Sequence, residues 1–281
     1  MGKKIYRNGF FCYDGEYQEE GVVPLLQKEL LYALLGTGFT CAATILGAAM
    51  VFFFRKDVER DVQRAFLGFA AGVMIAASVW SLLIPAMEMA EELGGSVALH
   101  VGGGFAFGGV FLMMLDRLLP HLHPGSDEAE GLPAHLKRTT MVVLAVTLHN
   151  IPEGMAVGLA FALAAREGTL PAAVALAIGM GLQNFPEGAA ISLPLRQEGF
   201  SRSRAFWGGT LSGSVEPVFG VLVVLAAGAV HPLMPWLLSF AAGAMLYVVV
   251  EELVPQAHSR AGTCGFVGGF LVMMVLDVAL G

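Results

Sequence analysis

The strongest constraint on this chain is a succession of apolar runs, each about as long as a bilayer is thick. A helix needs about 20 apolar residues to cross a hydrocarbon core of about 30 Å. Eight stretches meet that length, near 30–54, 65–90, 97–119, 139–165, 170–195, 205–229, 232–254 and 261–280. The eighth reads as the weakest, because its charge-free part is short and Asp277 lies near its end. Backbone polar groups in lipid can bond only within the protein, so such runs fold as helices. The expected fold class is therefore all-α, a polytopic membrane protein of eight transmembrane helices. Length alone would allow one or two soluble domains. The 281 residues are 56% hydrophobic and only 14% charged, with a mean hydropathy of +0.69, which excludes that reading.

The net charge of −7 and the lack of a basic patch exclude nucleic acid as a partner; the lipid bilayer is the expected surroundings. Cys12, Cys41 and Cys264 are far apart and form no CxxC pair, so neither a disulfide framework nor a thiolate metal site is expected. Residues 1–27 read as a polar tail with an acidic patch at Glu16, Glu19 and Glu20, and 28–281 as the membrane domain. The tail lacks the basic start, apolar core and cleavage site of a signal peptide. Orientation follows from loop charge. Arg55, Lys56, Arg60, Arg64, Arg117, Lys137, Arg138, Arg196, Arg202, Arg204 and Arg260 flank the links between runs 1–2, 3–4, 5–6 and 7–8. Those links are expected in the cytoplasm and both termini outside it. No glycosylation sequon occurs, which leans towards a bacterial inner membrane.

The runs repeat. Phe69-Ala70-Ala71-Gly72-Val73-Met74 in run 2 matches Phe240-Ala241-Ala242-Gly243-Ala244-Met245 in run 7. Gly108-Gly109, Met113-Met114 and Asp116 in run 3 match Gly268-Gly269, Met273-Met274 and Asp277 in run 8. Gly36-Thr37 and Gly47 in run 1 match Gly209-Thr210 and Gly220 in run 6, with identical spacing. Runs 1–3 and 6–8 start from opposite sides, so this is an inverted repeat around runs 4 and 5. Transporters built this way place the site near the midplane, on interrupted helices. Most of the glycines, and the paired methionines, fit helix packing.

Runs 4 and 5 are the exception to apolarity. Run 4 contains His149-Asn150-Ile151-Pro152-Glu153-Gly154 and run 5 Gln183-Asn184-Phe185-Pro186-Glu187-Gly188. Ionisable residues at membrane depth mark a functional site by default. His149 and Glu153 are four residues apart and share a helix face, as do Gln183 and Glu187. At a rise of about 1.5 Å per residue, both pairs fall near mid-membrane, with Glu216 of run 6 at similar depth. Each glutamate has a proline beside it, Pro152, Pro186 or Pro217. A proline leaves the carbonyl four residues back without its usual donor, here those of Leu148, Leu182 and Gly213. Unbonded backbone at this depth is tolerated where it lines a cavity.

Three glutamates lie at this depth and no Lys or Arg does. Buried carboxylates need a proton or a cation, so a metal ion with protons as its competitors is the simplest partner. Metal entry then releases protons, and affinity is expected to fall from neutral to mildly acidic pH. One imidazole with carboxylates and amides suits zinc and other first-row divalent ions, whereas magnesium and calcium prefer oxygen alone. Asn150 and Asn184 could serve an adjacent second ion, bridged by Glu153, Glu187 and Glu216, so one or two ions remain open. A lone membrane Glu can be a proton relay or a packing residue; three with a histidine and a duplicated motif favour metal. His121, His123 and His135, in a loop with Asp127, Glu128 and Glu130, could gather metal on the cytoplasmic side, although solvated loop residues are the commoner case. His121, His123 and His258 are kept as candidates for the path. No resident cofactor or catalytic residue is expected. An intramembrane zinc hydrolase using glutamate as general base is the alternative. It is weakened by the absence of H-E-x-x-H and by an inverted repeat that hydrolysis does not need. A proton-coupled carrier of an organic cation is a third reading.

The paired H-N-x-P-E-G and Q-N-x-P-E-G motifs, with P-H-x-H after run 3 and L-D-x-A-L-G at the end of the chain, resemble the ZIP (Zrt/Irt-like protein) family of divalent-metal transporters, and its bacterial GufA-like branch in particular. The resemblance covers runs 1–8 and leaves the tail outside. It implies a 3+2+3 arrangement of helices, a homodimer, and movement of zinc, and of iron, manganese or cadmium, into the cytoplasm. It also implies a two-metal site at His149, Asn150, Glu153, Gln183, Asn184, Glu187 and Glu216, with Ser81 able to complete it and Glu252 on the inner exit path. Runs 1, 4, 5 and 6 are implied to move as a block against 2, 3, 7 and 8, like an elevator. Many relatives have His where Gln183 stands, and related bacterial members have Asp where Asn184 stands.

Overall fold

The computed structural model describes residues 5–7, 10–12, 22–53, 59–94, 96–119, 138–197, 199–229 and 231–280. Its long helices follow the apolar runs closely, except that the first begins at Val22, inside the stretch read as polar tail. They are α1 (Val22–Ala48), tightened to a 3-10 turn over Ala49–Phe52, α2 (Arg60–Glu92) and α3 (Ala98–Leu118). Then come α4 (Arg138–Glu167) and α5 (Leu170–Gln197). Helix α6 is in two pieces, Arg202–Gly213 and Val215–Ala229, on either side of Ser214. The chain closes with α7 (Met234–Ala257) and α8 (Arg260–Leu280). Among the described residues six of these, α1, α2, α3, α6, α7 and α8, are long and apolar enough to cross a membrane. The eighth run, read as the weakest, is one of the six. Helices α4 and α5, of 30 and 28 residues, are as long but carry the polar motifs at their middles. The described departure from helix is a hairpin in the N-terminal tail. Its strands β1 (Ile5–Arg7) and β2 (Phe10–Cys12) pair antiparallel, with Ile5 opposite Cys12.

The helices sort into two groups by what they touch. α1, α4, α5 and α6 pack against one another, while α2 lies along α8 and α3 along α7. In the second group glycines set the approach. A Cβ on Gly72 would strike the Phe266 carbonyl, and one on Gly269 the Phe69 carbonyl. The α3–α7 pair repeats this contact: Gly243 meets the Phe105 carbonyl and Gly108 the Phe240 carbonyl. Backbones therefore touch directly, the arrangement small residues permit in membranes.

These contacts test the inverted repeat residue by residue. Phe69 and Gly72 play the parts of Phe240 and Gly243, as the sequence pairing had them. In runs 3 and 8 the pairing of Gly108-Gly109 with Gly268-Gly269 is one residue out. Gly108 corresponds to Gly269, Leu112 to Met273, both buried, and Asp116 to Asp277. The Met113-Met114 match to Met273-Met274 slips in the same way. The repeat extends to backbone irregularity: α2 widens into a π-helix over Ser78–Leu83 and α7 over Val249–Leu253. Both segments begin nine residues after the matching phenylalanine, Phe69 or Phe240. Such π segments favour functional sites over featureless stretches of helix.

Candidate metal site

Gly168 and Thr169 alone separate α4 from α5. Gly168 has φ +78°, a conformation that glycine adopts without strain, and so the chain reverses there. Glu153 lies 15 residues before Gly168 and Gln183 lies 15 after it. An antiparallel hairpin brings them level, and Gln183 Nε2 donates to Glu153 Oε2 at 2.7 Å. The depths inferred from run length thus become a contact. Pro152 and Pro186 sit within α4 and α5 without interrupting either helix. The interruption falls in α6 alone of the three, at Ser214, beside the Gly213 carbonyl expected to be freed by Pro217 and two residues before Glu216.

The glycine ending each motif has a packing task. A Cβ on Gly154 would fall 2.5 Å from Glu216 Cα, and one on Gly188 would strike the Thr44 carbonyl of α1. Each motif therefore carries a carboxylate, and one residue later the gap that admits a neighbouring helix. Through these gaps α6 delivers Glu216 and α1 delivers its threonines.

The result is one polar network in an apolar interior. Gln183 Nε2 also donates to Asn184 Oδ1. Asn184 Nδ2 donates to Glu216 Oε1 at 3.0 Å and faces the Thr40 carbonyl at 3.4 Å. Glu216 accepts further bonds from Thr40 Oγ1 at 2.5 Å and Thr44 Oγ1 at 3.3 Å. Asn150 Nδ2 donates to the Ser212 carbonyl of the broken helix at 2.9 Å, and its side chain also faces Glu187. His149, Asn150, Glu153, Gln183, Asn184 and Glu216 are all buried, and Glu187 is half-buried. The three carboxylates are near enough to repel one another when charged.

What the network leaves over is lone pairs. Asn150 Oδ1 and Glu187 Oε1 are buried with no hydrogen-bond donor. His149 Nε2 is also without a hydrogen bond; it lies 3.1 Å from Glu252 Oε1 of α7, out of line for one. A buried acceptor without a donor costs about 1–3 kcal/mol, and a cation is what removes that cost at several acceptors together. As the side chains stand, no three His, Cys, Asp or Glu among the described residues converge tightly enough to enclose an ion. Hydrogen bonds donated by the Gln183 and Asn184 side-chain amides link the Glu153 and Glu216 carboxylates instead.

The remaining candidates lie elsewhere. Ser81, in the π segment of α2, donates to Asp277 Oδ1 of α8 at 2.8 Å and takes no part in the α4–α6 network. Glu252 is buried in the π segment of α7, against His149. His258 is exposed at the end of α7 and borders an open surface pocket of about 480 Å³ with Arg260 and Cys264. His121 and His123, with His135, Asp127, Glu128 and Glu130, lie outside the described residues, as do Glu16, Glu19 and Glu20. Thr40 and Thr44 were not anticipated. Their signal was a threonine at every third or fourth place in run 1, a pattern that usually means hydroxyls bonded within their own helix.

The family model described as ZIP Zinc transporter matches residues 121–277, more than half of the chain. The chain belongs to the ZIP zinc transporter family. Relatives within the ZIP family include the human zinc transporter ZIP11, 38% identical over 90% of this chain and 98% of that protein. The zinc transporter GufA of Myxococcus xanthus is 39% identical, over 85% of this chain and 95% of that protein. The zinc transporter ZIPB of Bordetella bronchiseptica is 37% identical, over 89% and 82%. The GufA-like resemblance read from the motifs is borne out. Membership of ZIP, a family of transporters, sets the hydrolase reading aside.

Proposed function

We propose that this protein carries zinc across a membrane into the cytoplasm through the cluster on α4, α5 and α6. The observation that carries this reading is three carboxylates gathered in one interior cluster, where Glu187 Oε1, Asn150 Oδ1 and His149 Nε2 have no hydrogen-bond partner. One or two adjacent ions would bind at His149, Asn150, Glu153, Gln183, Asn184, Glu187 and Glu216, with Ser81 completing the site once it gives up its bond to Asp277. Binding requires the amides of Gln183 and Asn184 to turn, giving their oxygens to the metal and releasing Glu153 and Glu216. Imidazole, carboxylate and amide ligands admit iron, manganese and cadmium as further cargo.

Further parts of the reading rest on the family and on the packing. All eight long helices cross the membrane in a 3+2+3 arrangement, in a bacterial inner membrane, with both termini and the tail that precedes α1 outside. The protein works as a homodimer. The group α1, α4, α5 and α6 moves as one body against α2, α3, α7 and α8, because the first packs around the site while the second is zipped in pairs. Glu252, His258, His121 and His123 line the inner path. Proteoliposomes loaded with a zinc-sensitive dye test the reading. Zinc influx by the intact protein, and background influx by folded Glu153→Ala and Glu187→Ala variants, is expected. Undiminished influx in either variant removes the cluster from the path.

A further inference from the structure

Helix α1 contributes no candidate ligand, yet it carries a polar face that points into the site. Thr37, Thr40 and Thr44 are spaced by three and four residues, so they share one side, and all three are fully buried. Thr37 behaves as membrane threonines commonly do, bonding the carbonyl one turn back, Ala33 O, at 2.6 Å. Thr40 and Thr44 depart from that pattern. Thr40 Oγ1 reaches across to Glu216 Oε2 at 2.5 Å and Thr44 Oγ1 to Glu216 Oε1 at 3.3 Å. Each also has a carbonyl of its own helix within reach, Thr37 O at 3.1 Å and Thr40 O at 3.4 Å. Helix α6 is shaped to receive them. A Cβ on Gly213 would lie 2.8 Å from Thr44 Cβ, and one on Gly220 2.7 Å from Thr37 Cγ2.

The inverted repeat supplies an independent observation. By the spacing that matches Gly36-Thr37 and Gly47 to Gly209-Thr210 and Gly220, Thr40 corresponds to Gly213 and Thr44 to Pro217. Thr37 keeps its threonine in the second copy, whereas the two threonines that touch Glu216 do not. The copies therefore diverge at the contact with the carboxylate: one supplies hydroxyls, the other the helix break that frees Glu216.

We propose that Thr40, assisted by Thr44, is a positioning residue of the metal site. Its hydroxyl fixes the Glu216 carboxylate in the orientation that an ion meets, and ties α1 to the broken helix. Glu216 follows a helix break and has a flexible side chain, so without the two hydroxyls only Asn184 would orient it. Asn184 must turn when metal binds, and the threonines then hold the carboxylate in its place. This inference rests on the proposed transport site and deepens it. Partners that orient a ligand in this way are worth about 10–100-fold in metal affinity or activity.

The test is zinc binding to purified protein by titration calorimetry, together with proteoliposome uptake, for Thr40→Val, Thr40→Ala, Thr40→Ser and Thr44→Val. Thr40→Val is expected to weaken zinc binding and raise the KM for uptake by about tenfold at unchanged maximal rate. Thr44→Val, with its longer contact, is expected to do less. Thr40→Ser should restore both values to near those of the intact protein. If Thr40→Val does not fold, Thr40→Ala against Thr40→Ser gives the same contrast, since both shorten the side chain and differ in the hydroxyl. In a Glu216→Gln background the Thr40 substitution should add little. Unchanged affinity in Thr40→Val or Thr40→Ala, failure of Thr40→Ser to restore it, or a full additional loss in the Glu216→Gln background overturns the proposal. Uptake that survives Glu153→Ala would instead refute the site itself, so the two failures are distinguishable.

Discussion

The two halves of this molecule solve the same packing problem in opposite ways. In the group α2, α3, α7 and α8, helices meet backbone to backbone through glycine, and Phe69, Phe105, Phe240 and Phe266 present the carbonyls they meet. In the group α1, α4, α5 and α6, glycines also open the gaps, but carboxylates, amides and threonine hydroxyls fill the interior. The first half gains cohesion and little chemistry from its small residues. The second accepts buried polarity, and with it a place for an ion. A polar contact between them, His149 with Glu252, joins the site to the π segment of α7.

The largest effect should come from the polar half: Glu153→Ala or Glu187→Ala reduces uptake to the level of protein-free vesicles. Next is the buried ion pair of Arg166 and Glu29, which ties the end of α4 to α1; Glu29 is 1% exposed. Arg166→Met leaves that carboxylate without its partner, and an uncompensated buried charge costs about 3–5 kcal/mol. Because Arg166 is partly exposed, a loss near the lower figure is expected in denaturant unfolding, with zinc affinity of the folded fraction unchanged. In the other half, Gly72→Ala and its repeat partner Gly243→Ala should each destabilise the protein by about 1–3 kcal/mol through overpacking. Nearly equal losses would uphold the repeat, and widely unequal ones would break it. His149→Ala should weaken zinc by about tenfold and manganese by less, since imidazole favours zinc over a harder ion. Smallest is the effect of mild acid. Zinc affinity should fall between neutral pH and about pH 6, because protons and metal compete for the same ligands. An affinity flat over that range would argue that the bound ion does not meet these carboxylates.

Helix positions were legible in the sequence because apolar length is a coarse and strong signal. The site was legible because glutamate is conspicuous in such runs, and the 15-residue arms either side of Gly168 explain why Glu153 and Gln183 meet. Other features were not. Adjacent identical residues, Gly108-Gly109 and Met113-Met114, allow two registers by eye, and only the carbonyl contacts choose between them. Proline suggested breaks in all three helices that carry the glutamates; α6 does part, at Ser214 beside the Gly213 carbonyl, but α4 and α5 stay helical through Pro152 and Pro186, which the proline alone did not foretell. Thr40 gave no warning, because whether a hydroxyl bonds its own helix or a neighbour depends on packing that no local pattern encodes.

The most direct test of the central claim is anomalous diffraction at the zinc edge from crystals of the full chain soaked in zinc. A peak between α4, α5 and α6, about 2.0–2.2 Å from His149 and from carboxylate oxygens of Glu153 or Glu187, is the result expected. A peak confined to the loop and surface histidines, with none among those carboxylates, would contradict it.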